Sequence, residues 1–195
     1  KPVQSVQTKP SEADPRIGRQ ASGKVDINEM IADVFDATQD LWLDPNPKED
    51  SVAELMLDLA IGKCPADAGT FYLADVNAHD LAFAAVRGPK ANELKRAGIT
   101  VDIGQGIIGF CAQEGVCLGI SQMQNDSRYF AGIANAIGYQ PHDTLCAPCE
   151  KNGRLYGAIQ LINSKKGGFG PAEMEILRYI GVTAAELLER IESNR

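Results

Sequence analysis

The sequence predicts an α+β fold: a central six-stranded antiparallel sheet with helices packed on it and long helices at both ends of the folded part. Three observations predict it. Apolar residues recur at three and four residue spacing near both ends, short strand-like segments fill the middle, and four of these flank tight turn signals. The resulting order is helix, helix, hairpin, strand, helix, strand, helix, hairpin, long helix, which an antiparallel sheet covered by helices satisfies best.

Residues 1–25 contain three prolines and little apolar periodicity, so they are expected to form a flexible arm or interdomain linker. A folded domain is expected over 26–195. It opens with a helix whose stripe is Ile27, Met30, Ile31, Val34, Phe35, Leu41 and Trp42, stopped by "DPNP". A second helix starts near Ser51, carries Val52, Leu55, Met56, Leu59 and Ala60 on one face, and closes at "GKCP".

"GTFYLAD" and "DLAFAAVRG" then form a hairpin around "VNAH". A short strand "GITVDIG", a glycine-rich helix start "GQGIIGFCAQEG" and a short strand "CLGIS" follow. Residues 121–142 read as a loop around one short helix. "TLCAPCEK" and "LYGAIQLINSK" flank Asn152-Gly153, the signal for a tight hairpin. The last helix begins at Gly170-Pro171 and carries Met174, Leu177, Ile180, Ala184, Leu187, Leu188 and Ile191.

Composition narrows the function. The chain has 195 residues and a net charge of −7. The first 24 residues carry +3 and the remainder −10, and an acidic body repels phosphate backbones, which argues against nucleic acid as partner. No apolar run approaches a membrane span and the N-terminus has no apolar signal core, so no membrane contact is expected and the expected compartment is the cytoplasm.

Five cysteines, an odd number, suit reduced thiols better than a disulfide framework. Cys146 and Cys149 have the spacing of a redox centre or of half a zinc site. On a strand, however, residues three apart point to opposite faces, so neither a shared metal nor an easy disulfide is expected. His79 and His142 lie in loops without metal-ligand spacing, and no metal is expected.

Five segments in order, "GQGIIGFCAQEGVCLGI", "NDSRYF", "GYQPHDTLCAPC", "GAIQLIN" and "GGFGPAEMEIL", resemble the GAF domain family, closest to the regulatory GAF domains of cyclic-nucleotide phosphodiesterases and bacterial signalling proteins. The resemblance is firm over about 98–180, and element order extends it to 26–195. It implies a sensory domain of a multidomain signalling protein, with a ligand pocket under 121–142 and output through the terminal helices. A homodimer through those helices and contact with neighbouring domains of the same chain are implied too. No cofactor is identifiable; the implied ligand is a cyclic nucleotide or another small metabolite.

Departures from the family pattern are specific. The Asn-Lys-Phe-Asp-Glu signature reads Asn163, Ser164, Phe169, Glu173 and Met174, so the family's lysine–aspartate pair is missing and Lys165 with Glu173 is its nearest replacement. Positions where cyclic-nucleotide binders carry an acid and a threonine are Ala134 and Ile137, which counts against cAMP or cGMP because an unpaired purine edge costs about 1–3 kcal/mol.

The ligand-contact candidates are Phe130, Tyr129, Ser121, Asp126, Arg128 and Asn135, with Phe130 at the family's base-stacking position. Gly106 starts a helix that could receive an anionic ligand group. No constellation of nucleophile, base and orienting group is visible, so the expectation is against an enzyme. Two alternatives stand: a ligand-free dimerisation module, and a thiol enzyme like the free methionine-R-sulfoxide reductases, which would need Cys111 or Cys117.

Overall fold

The computed structural model describes residues 26–194. The arm expected over 1–25 lies outside the described residues. Asp26 caps α1 (Ile27–Leu43), accepting a hydrogen bond from the Asn28 amide at 2.9 Å. The far end of α1 is closed from elsewhere in the chain: Arg190 donates to the Leu41, Trp42 and Asp44 carbonyls at 2.7–3.0 Å. A guanidinium suits this end, where unpaired carbonyls gather negative charge.

α2 (Glu49–Lys63) follows, then the hairpin β1 (Ala66–Asp75) and β2 (Asp80–Arg87), turning through Val76–His79 as the sequence predicts. An unforeseen helix, α3 (Ala91–Ala97), precedes β3 (Thr100–Asp102). α4 (Gly106–Glu114), β4 (Leu118–Ile120), α5 (Gly132–Ile137), β5 (Thr144–Lys151), β6 (Arg154–Ser164) and α6 (Pro171–Ser193) complete the chain. Asn152 and Gly153 both take positive φ, 54° and 77°, the backbone that a tight hairpin with right-handed twist requires.

The sheet is six-stranded and antiparallel in the order β3-β2-β1-β6-β5-β4. Its two faces bury different cores. On one, Phe71, Leu145, Ala147, Cys149, Ile159 and Leu161 meet α1, α2 and α6. On the other, Tyr72, Leu81, Cys146 and Ala158 meet α4 and the segments that follow it. The alternation of strand side chains therefore sends Cys146 and Cys149 into separate cores. All five cysteines are free.

The expected ion pair is shifted by one position. Lys166, not Lys165, pairs with Glu173, at 3.6 Å. β6 ends at Ser164, whose hydroxyl donates to the Gly168 carbonyl at 2.7 Å and folds the chain back, so the lysines lie in a turn rather than on alternating strand positions. Glu173 also accepts from the Gly170 amide at 3.2 Å, so one carboxylate starts α6 and holds the turn before it.

Candidate functional site

On the α4 side of the sheet the chain forms a half-open cavity of about 100 Å³. Alternate residues of β1 and β6 make its floor, because Thr70 and Tyr72 point the same way as Gln160 and Ile162. One wall is the start of α4, where Gly106, Ile107 and Ile108 border the space. Gln105 gives that helix no side-chain cap, so first-turn N–H groups remain available to a ligand acceptor.

The roof has two parts: Ala91 and Leu94 of α3, and Tyr129, Phe130, Ile133, Ala134 and Ile137 of the 121–142 segment and its helix α5. The wall contains no Asp, Glu, His, Ser or Cys.

One polar cluster ties this roof to the sheet, and a second braces the roof segment internally. At its C-terminal end the Tyr139 hydroxyl donates to Asp67 at 2.7 Å and accepts from Asn163 at 3.1 Å. Asn163 further donates to the Gln140 carbonyl at 3.1 Å and accepts from the His142 amide at 2.7 Å. Asn163 itself has φ of 59°, a conformation that asparagine tolerates better than most residues.

At the N-terminal end Arg128 grips Asp126 with two bonds of 2.8 and 2.7 Å and lies 4.7 Å over the Phe110 ring. Hydrogen bonds from the Arg128 side chain and backbone amide hold the Asp126 carboxyl down at about 2. A depressed carboxyl favours the clasped form above the unfolded value near 4, and that advantage is lost as pH falls from about 4 toward 2. The expected result is a carboxyl ¹³C titration of Asp126 with its midpoint near 2; a midpoint near 4 rejects the clasp.

These contacts settle where each candidate sits. Tyr129 and Phe130 border the cavity, although Phe130 is 50% exposed. Asp126 and Arg128 are absent from the cavity wall and spend their charges on each other. Ser121 and Asn135 are exposed and also outside the wall. Ala134 and Ile137 do line it, as apolar surface.

Sequence reasoning missed the strand residues, Thr70, Tyr72, Phe83 and Gln160. A usable signal was present: threonine, tyrosine and glutamine at core-facing positions of otherwise apolar strands mark buried polar groups that need partners.

The cysteines stand outside the cavity wall. Burial pushes the Cys111 thiol up and, as the main cause, Cys117 to about 11; Cys117 donates to the Met174 carbonyl at 3.6 Å. His79 and His142 are exposed. Among the described residues no group of three or more His, Cys, Asp or Glu side chains could hold a metal ion, and no helix is long and apolar enough to cross a membrane.

A GAF domain family model matches residues 49–188. Over 80 residues the chain is 30% identical to the probable 3′,5′-cyclic phosphodiesterase pde-5 of Caenorhabditis elegans, and over 71 residues 32% identical to the dual 3′,5′-cyclic-AMP and -GMP phosphodiesterase 11A of Takifugu rubripes. These matches cover 41% and 36% of this chain but only 11% and 8% of those proteins.

Among solved structures, the GAF domain of a phosphoenolpyruvate-protein phosphotransferase from Coxiella burnetii has a TM-score of 0.72 at 16% identity, covering 86% of this chain and 97% of its own. Free methionine-R-sulfoxide reductase from Neisseria meningitidis, solved with its substrate, has a TM-score of 0.64 at 14% identity, covering 86% and 88%. At such identities the likeness is one of fold.

Proposed function

Because the chain belongs to the GAF domain family, whose members are typically regulatory domains of signalling proteins, we propose that it is a small-molecule sensor that encloses its ligand between the sheet and the two-part roof. The pocket beneath a tethered roof carries this reading: a roof tied to β1 and β6 through Tyr139 can move by breaking a few hydrogen bonds, without disturbing the opposite core. A ligand that binds only under the closed roof shifts the population toward it.

The lining weighs against a cyclic nucleotide. Ala134 and Ile137 offer a purine edge no partner. A largely apolar small metabolite suits it better.

Catalysis has no support in the wall, which offers no thiol, carboxylate or imidazole, and the thiols outside it are held protonated by burial. The role is therefore binding, with output through α1 and α6 in the cytoplasm. Phe35 and Leu43, 55% and 79% exposed on α1, suit a homodimer through the terminal helices.

A thermal-shift screen of the full chain tests the reading. A true ligand at one hundred times its Kd adds about 2.7 kcal/mol, a rise of roughly 5–10 °C for a domain of this size. Ile133→Asp, which puts a charge on the roof's inner surface, is expected to abolish the rise. A rise that survives this change overturns it; one produced by cAMP or cGMP and by no smaller compound rejects only the preference against a cyclic nucleotide.

A further inference from the structure

The two halves of the roof are held in different ways. The half on α5 is tied down, since Tyr139 joins Asp67 of β1 and Asn163 of β6. The half on α3 is not. Among the described residues, no side-chain hydrogen bond or ion pair joins Ala91–Ala97 to another element, and the ion pair the helix does have, Lys90 with Glu93, lies at its own start.

Packing holds α3 just as lightly. It buries none of its side chains and rests chiefly on β2. Pairing of β3 with β2 covers only 80–82, so the edge of β2 beyond that point carries no strand. Between this edge and α3 runs an outer groove bordered by Phe83, Val86, Leu94 and Ile99. Phe83 and Leu94 border the cavity as well, so these two side chains form the partition between cavity and groove. One of them stands on the helix that is held least.

Both ends of α3 are built to turn. Gly88 and Gly98 flank it with φ of 117° and 57°, a backbone that glycine enters without steric cost. An added Cβ at Gly98 would meet no atom within 4 Å, so nothing crowds that end. Moving lids pivot on a few element-terminal residues of this kind. A segment with little buried apolar surface and no side-chain tie opens at low free-energy cost.

We propose that α3 is the door of the cavity, a role whose purpose rests on the sensor reading above. It swings about Gly88 and Gly98, draws Leu94 out of the partition, and admits a ligand from the outer groove while the α5 half stays latched to the sheet. Entry by this route breaks none of the Tyr139 bonds.

Methyl relaxation dispersion on the ligand-free full chain tests the motion. Leu94 and Ile99 are expected to share one exchange process on the μs–ms scale of lid opening, with none at Ile133 and Ile137 of α5. Absence of exchange at Leu94, or the same process at Ile133 and Ile137, overturns the door.

Alkylation by iodoacetamide tests access. Thr70→Cys puts a thiol on the cavity floor, and peptide mass spectrometry separates it from the five native cysteines. Adding Leu94→Ala, which thins the partition, is expected to speed alkylation of the floor thiol at least tenfold. Adding Tyr139→Phe, which frees the other half of the roof, is expected to leave the rate within twofold. Cys149 in the opposite core gauges unfolding and is expected to stay unreacted.

A tenfold rise with Tyr139→Phe and none with Leu94→Ala puts the entrance at α5 and overturns the door, as does alkylation of Cys149 in step with the floor thiol. Should Leu94→Ala fail to fold, the relaxation result on the parent chain decides. A thermal-shift screen without a hit removes the sensor reading and leaves the motion of α3 as measured.

Discussion

Gly181→Val is expected to destabilise the domain by about 2–3 kcal/mol, and even Gly181→Ala to destabilise it measurably. In an exposed helix, replacing glycine by alanine gains up to about 1 kcal/mol through propensity alone. Here the sign reverses. Gly181 is where α6 crosses β5, and a Cβ at this position would lie 2.5 Å from the Pro148 carbonyl oxygen and 3.6 Å from the Ala147 methyl. Neither neighbour can rotate away, since the first is backbone of β5, held there by pairing with Ala158 of β6, and the second is a methyl group.

The helix must lift from the sheet, loosening Ile180 and Ala184 in the buried core beside it. Urea unfolding is the measurement, with a lower midpoint and an unchanged slope as the expected outcome. A Gly181→Ala variant as stable as the parent rejects this close approach.

Phe71→Ala is expected to cost more, about 3–5 kcal/mol, because Phe71 heads the fully buried large side chains and its removal leaves a void among α2, α6 and the sheet. For a domain of this size that lowers Tm by at least about 6 °C. The informative part is what stays constant. Tyr72, the next residue, borders the cavity on the other face, so affinity for any ligand held there is expected to remain within twofold in Phe71→Ala at temperatures where it is folded. A tenfold loss of affinity would mean that the two cores are coupled through β1.

How much of this was legible in the sequence varies with the kind of signal. The long helices and the hairpins around Val76–His79 and Asn152-Gly153 were legible because burial periodicity and turn chemistry are local properties. α3 was not, since its seven residues, Ala91–Ala97, bury no side chain and so leave no apolar stripe to read. The lysine paired with Glu173 was placed one residue early because the end of β6 and the fold-back at Ser164–Gly168 depend on tertiary hydrogen bonds.

The site shows a similar division. Tyr129 and Phe130 could be placed near the cavity from the roof segment alone. Asp126 and Arg128 looked like ligand contacts because charged residues in a long loop suggest binding. Nothing in their spacing revealed that they satisfy each other across two residues. The floor was hidden for the opposite reason, as Thr70, Tyr72 and Gln160 sit in segments whose apolar neighbours read as ordinary core.

The separation of the two cores by one sheet also bears on how such a domain can diverge over generations. Under the proposed sensor function, substitutions among Ile107, Ile133 and Gln160 would alter what the chamber accepts, yet these residues lie outside the core that packs α1, α2 and α6. Selection can therefore explore new chemical preferences on one side while the other keeps its inherited stability, so specificity evolves without each step having to rebuild the scaffold.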